Sequence, residues 1–174
     1  MSLPDVIDTG LRVLFCGINP GLQASASGHH FVGRGNRFWP VMHLSGFTPR
    51  LMAAQESTSL LRHGWGLTTV VERATAREDQ LAPDEYRAAA AGFARKVARY
   101  APAFVAFLGK PAFAALTGQK RVAWGRQSVT MGPSAIWVLP NPSGRNRSFT
   151  LAQLVEAYRE LRIAASPDHP PPSA

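Results

Sequence analysis

Short apolar runs alternate with longer stretches of helical periodicity along this chain. Val13-Leu14-Phe15-Cys16 is closed by Gly17 and by the Asn19-Pro20-Gly21 turn, and it reads as a buried strand. Gly66–Val71 is rich in β-branched residues. Phe104–Leu108 is stopped by Gly109, and Ala135–Leu139 by Pro140. These three segments read as further strands, and Gln127–Met131 adds a short flanking one. The runs are apolar throughout rather than alternating, which predicts a sheet covered on both faces, as parallel sheets are.

Helical spacing fills the intervals. Pro83 suits a first helical position, and Tyr86, Ala90, Phe93, Val97 and Tyr100 follow in steps of four and three that make one apolar stripe. Thr150 and Gln153 form a capping box ahead of a buried face of Leu151, Leu154, Val155, Tyr158 and Leu161. Asn36–Leu44, Pro49–Arg62 and Lys110–Leu116 complete the expected helices. Strand and helix in alternation imply an open α/β sheet with helices on both faces. The expected organisation is one domain over residues 1–165, followed by a Pro-rich, disordered tail over 166–174.

The ligand crevice of such a sheet lies beyond the carboxyl ends of its strands. At the first strand's end, Pro20 and Gly21 force a tight turn that fixes Asn19. Its amide either projects into the crevice, where it can orient a water, or satisfies its own loop as an Asx-turn. The fourth strand ends on a second Asn-Pro turn, Asn141-Pro142-Ser143-Gly144-Arg145-Asn146-Arg147. It is small, polar and basic, and it leads into a capped helix, a setting that suits phosphate. The expectation is two rigid turns on neighbouring strand ends, facing one crevice.

A third feature is Gly28-His29-His30-Phe31-Val32-Gly33-Arg34-Gly35, a loop that interleaves glycines, basic residues and aromatics. Phe31 is the ring expected to be free for stacking on a base, whereas Phe38 and Trp39 belong to the core. His29 and His30 lack metal-pair spacing and read as surface or catalytic-loop histidines. Gly33-Arg34-Gly35 lacks the third glycine of a dinucleotide fingerprint. Carboxylates are scarce. Glu72 and Asp79 are the two placed to reach the crevice, each with a structural alternative: Glu72 paired with an arginine, Asp79 capping a loop. Lys110, at the third strand's end, either approaches a phosphate or starts a helix.

Composition sharpens this picture. The 174 residues carry 19 Lys plus Arg against 11 Asp plus Glu, a net charge of +8, and 16 of the basic residues are Arg. Guanidinium forks match phosphate oxygens, which points to a polyanionic partner; GC-rich coding inflates Arg as well. A single cysteine excludes an internal disulfide, a Cys-rich zinc site and an iron–sulfur cluster. No metal or cofactor is expected. No apolar run approaches a membrane span, no signal peptide is visible, and a cytoplasmic setting fits.

With these residues placed, the chain resembles the mismatch-specific uracil-DNA glycosylases, bacterial relatives of thymine-DNA glycosylase. The resemblance runs from about Leu11 to Leu161. It rests on Gly17–Gly21, Asn36–Trp39, Ser45–Thr48, Val71–Arg73, Leu108–Lys110, Trp137–Gly144 and Leu154–Leu161. It implies a three-layer α/β/α sandwich around a mainly parallel sheet, acting as a monomer on double-stranded DNA at the bacterial nucleoid. The implied reaction is excision of uracil, above all opposite guanine. Asn19 would position the attacking water; on the reading of the residues rather than the resemblance, Asp79 would supplement it as a base if it reaches the crevice. Gly17, Ile18, Pro20, Gly21, Phe31 and Asn36 would line the base pocket. Asn141, Pro142, Ser143, Gly144, Arg145, Asn146 and Arg147, with Lys110, would hold and enter the duplex. The chain departs from its relatives at three places: Arg145 where an apolar wedge is common, Thr69 where Lys occurs, and His29-His30 in place of a more apolar stretch. Two other classes compete, a non-catalytic mismatch-binding module and a hydrolase of free nucleosides.

Overall fold

The computed structural model describes residues 2–166; the expected tail, apart from Ser166, lies outside the described residues. Five strands, β1 (Val13–Gly17), β2 (Trp65–Thr69), β3 (Phe104–Leu108), β4 (Gly125–Met131) and β5 (Ser134–Leu139), form one sheet in the order β2-β1-β3-β5-β4. The first three and β5 run parallel, and β4 is an antiparallel edge strand. Every residue of the four parallel strands is buried, whereas β4 is largely exposed. The expected mostly parallel α/β architecture is thus the observed one.

Residues of alternate parity serve opposite faces, as the period of two demands. Val13, Phe15, Phe104, Ala106, Leu108, Trp137 and Leu139 pack with α2 (Phe38–Leu44) and α5 (Leu151–Ala164). Leu14, Cys16, Val105, Phe107, Ile136 and Val138 pack with α3 (Pro83–Tyr100) and α4 (Lys110–Thr117). Phe15 is fully buried between Phe38, Phe47 and Tyr158. Such a side chain contributes about 1.5–3 kcal/mol by leaving water.

Several boundaries move for local reasons. Val70 and Val71 leave β2 and donate their N–H groups to Gly17 and Ile18 carbonyls, joining β2 to the turn after β1. The segment expected to be helical from Pro49 becomes a 3-10 helix over Ala54–His63. Its Ser57, Thr58 and Ser59 offer hydroxyls that compete for backbone groups and weaken an α-helix. A short helix, α1 (Leu22–Ser27), follows the first turn without having been expected. Leu151 is 41 % exposed rather than part of the buried face of α5. At the β2 edge, Val6 bridges Leu67 antiparallel, so the N-terminal segment covers that edge. Among the described residues, no helix is long and apolar enough to cross a membrane.

Candidate active site

The two Asn-Pro turns sit on β1 and β5, which are not neighbours as expected: β3 lies between them. They nevertheless converge, because β3 ends on a glycine. A Cβ built on Gly109 would lie 3.6 Å from Ile18 Cδ1 and 3.7 Å from Asn141 Cβ. Gly109 has φ +107°, a conformation that side chains rarely adopt. The absent side chain lets the flanking turns close over the end of the intervening strand.

Asn19 is held by the loop after β2. Its Nδ2 donates to the Arg73 carbonyl and to Thr75 Oγ1, both at 2.8 Å. A carbonyl can only accept, so the amide orientation is chemically fixed. Thr75 Oγ1 in turn donates to the Arg77 carbonyl at 2.7 Å. Both Asn19 N–H groups are therefore used, and Oδ1 accepts nothing from the described residues. The amide N–H groups do not satisfy their own turn: they are anchored by another loop, and the acceptor side of Asn19 is what remains.

The same loop reaches the second turn. Asn141 Nδ2 donates to Glu78 Oε2 at 2.8 Å, and Asn141 Oδ1 accepts from Ser143 N at 2.9 Å. Although Glu78 as a residue is exposed, burial of its carboxylate pushes its pKa up, the charge of Asp79 adds to this, and the Asn141 amide opposes it. The Asp79 carboxylate is 69 % exposed and pairs with Arg77 at 3.0 Å, whereas the carboxylate bonded to the second turn is that of Glu78. Glu72 pairs with no arginine among the described residues. It lines a cleft of about 190 Å³ with Asp5, Pro20, Thr69 and Lys96, where Lys96 Nζ and Asp5 Oδ2 lie 2.7 Å apart. That cleft does not include Asn19, Phe31 or Asn141.

Arg37 builds the second turn. Its backbone N–H donates to the Pro142 carbonyl, and its guanidinium donates to the carbonyls of Ser143, Asn146 and Phe149 at 2.7–3.0 Å. Asn146 donates to the Asn141 carbonyl and accepts from Ser148 N, which makes it a brace of the loop. Tyr158, fully buried, donates its hydroxyl to the Pro140 carbonyl at 2.9 Å, and burial raises its pKa. A Cβ on Gly144 would meet the Gly35 carbonyl at 2.8 Å, so the glycine-rich loop before α2 seats directly on the second turn. Arg145 and Arg147 remain exposed at its rim.

Phe31 is fixed rather than free. Its ring stacks on Phe38 at 4.0 Å between centroids, its φ is +58°, and it stays half-exposed. His30 corrects the surface reading: it is 3 % exposed and its Nε2 lies 2.7 Å from the Pro4 carbonyl. Burial lowers its pKa, so the ring is held neutral and ties the loop to the N-terminal segment. Asn36 Oδ1 accepts from Phe38 N at 2.9 Å, which places it at the start of α2. Arg37, Thr75 and Glu78 were missed by sequence reasoning. Arg37 lies within Asn36–Trp39, but nothing in the sequence distinguishes it from the other arginines. Glu78 adjoins Asp79, and spacing alone does not separate them.

Fold and geometry together define an α/β protein with a mostly parallel sheet, whose two asparagine turns meet beyond the carboxyl ends of its strands. Residues 4–162 match the uracil DNA glycosylase superfamily. A solution NMR structure of a proposed uracil DNA glycosylase from Methanosarcina acetivorans superposes with a TM-score of 0.59 at 22 % identity. The match covers 92 % of this chain and 97 % of that one. The chain belongs to the uracil DNA glycosylase superfamily and is a DNA N-glycosylase.

Proposed function

We propose that this enzyme extrudes uracil from duplex DNA, preferentially from opposite guanine, and hydrolyses its N-glycosidic bond to leave an abasic site. The observation that carries the reading is the half-spent amide of Asn19: two N–H groups anchored, one carbonyl oxygen open at the strand end. Such an oxygen accepts a hydrogen bond from water and aims it, but it is too weak a base to make hydroxide. The C1′–N1 bond must therefore break largely before water adds. Its electron pair leaves with the base, water adds to C1′, and one water proton is lost to solvent or to the departing base.

Extrusion costs a few kcal/mol, and a G·U wobble lowers that cost. Gly17, Ile18, Pro20 and Gly21 border the base, Phe31 stacks on it, and backbone N–H groups of the turns stabilise the departing anion. Arg145, in the place of an apolar wedge, stacks through its guanidinium plane or meets the orphaned guanine. The protein acts as a monomer on nucleoid DNA in the cytoplasm. The test incubates wild type and Asn19→Ala with duplexes carrying G·U, A·U and G·T, and reads strand scission after alkali. Scission at G·U by wild type alone supports the reading; equal scission by the variant, or none by either protein, defeats it. Free deoxyuridine left uncut excludes the nucleoside hydrolase.

A further inference from the structure

We propose that Lys110, Trp124 and Phe149 form a ledge for a backbone phosphate, in which Trp124 holds the Lys110 ammonium in place. The inference rests on the reading of the crevice as the face that DNA enters. All three residues belong to that edge of the sheet. Lys110 follows Gly109 at the end of β3. Trp124 precedes Gly125, which pairs with Val138 near the carboxyl end of β5. Phe149 closes the second turn, and its carbonyl accepts from Arg37.

The contacts are specific. Lys110 Nζ stands 4.3 Å from the centre of the Trp124 ring, and Trp124 meets Phe149 edge-to-face at 5.3 Å and 85°. Lys110 has no carboxylate partner among the described residues, so its charge is compensated only by the indole face. Trp124 is 44 % exposed, a large apolar surface beside the carboxyl end of β5. An ammonium confined over a ring has lost rotamer freedom before any ligand arrives, which lowers the cost of binding. Its N–H groups away from the ring remain for phosphate oxygens. The occupant is a phosphodiester rather than a stacked base, because the ammonium already covers a face of the indole. Exposed Arg145 and Arg147, in the loop leading to Phe149, extend the same positive rim.

The test measures uracil release from a G·U duplex, and binding of an undamaged duplex, across a salt series. Trp124→Leu should raise KM about fivefold, with kcat changed less than twofold. The slope of log affinity against log salt should fall by about 0.9, the value of one phosphate contact. Trp124→Phe, which keeps a ring face, should restore most of the loss. Lys110→Met alone should match Trp124→Leu, and the double variant should be no worse than either. An unchanged KM and salt slope in Trp124→Leu or in Lys110→Met would overturn the ledge, and so would additive losses in the double variant. Absence of uracil release by wild type would instead defeat the proposed reaction, with duplex binding still deciding the ledge.

Discussion

Asn141 and Glu78 are joined by a hydrogen bond of 2.8 Å from the turn after β5 to the loop after β2. Three residues earlier, Thr75 holds Asn19. One loop therefore sets both asparagines, and it is itself tied down by Arg73, whose guanidinium pairs with Glu85 and donates to the Gln80 carbonyl. The placement of both asparagines is thus set by a connection outside their own turns.

Glu78→Ala should lower kcat for uracil release about tenfold, since losing one positioning hydrogen bond costs about 1.4 kcal/mol, which is a factor of ten in rate. Glu78→Gln keeps an acceptor for Asn141 and should retain most activity. Single-turnover excision distinguishes the two. Equal losses in both variants would show that charge, rather than the hydrogen bond, matters.

The same carboxylate makes stability depend on pH. Its folded pKa lies above its unfolded value, so its favourable contribution is complete below the unfolded pKa and is lost as pH rises through the folded pKa. Glu78→Gln removes that loss. The Tm of Glu78→Gln relative to wild type should rise from acid to neutral pH, and thermal melts across that range check it. Glu85 behaves oppositely. Arg73 and the Ala82 N–H hold its pKa down to about 2, so its contribution is present above the unfolded value and disappears as pH falls towards 2.

Gly109→Ala should destabilise the fold by roughly 1–3 kcal/mol, because φ +107° is strained for any residue with a Cβ. The added methyl would also press on Pro111, Ile18 and Asn141. Excision should fall at least as far as after Glu78→Ala. Denaturant melts with parallel assays separate the effects, and an unperturbed Gly109→Ala would show that the turns do not depend on this close approach.

Arg37→Ala leaves three carbonyls of the second turn without their donor, and about 2–4 kcal/mol of stability should be lost. Arg37→Lys should not recover it, since one ammonium does not reproduce a planar fork. Tyr158→Phe, which frees only the Pro140 carbonyl, should cost about 1–2 kcal/mol. Urea titrations rank the three.

The sheet was legible because its four parallel strands are fully buried, three of them bounded by Gly17, Gly109 and Pro140. The same burial hid their order: four apolar strands carry no mark of which neighbours which, and β3 between the two turns went unread. Asn19 and Asn141 were found because Asn-Pro turns at strand ends are local. Their partners, Thr75 and Glu78, were not, because each contact spans more than fifty residues and no spacing encodes it. The burial of His30 was hidden in a similar way: its partner is the carbonyl of Pro4 in the N-terminal segment, which no local spacing marks.

If Asn19 acts through its carbonyl oxygen, the single-turnover rate of uracil release from a G·U duplex should fall about 100-fold or more in Asn19→Ala, with duplex affinity, measured alongside, unchanged. A variant that releases uracil at the wild-type rate would contradict that role.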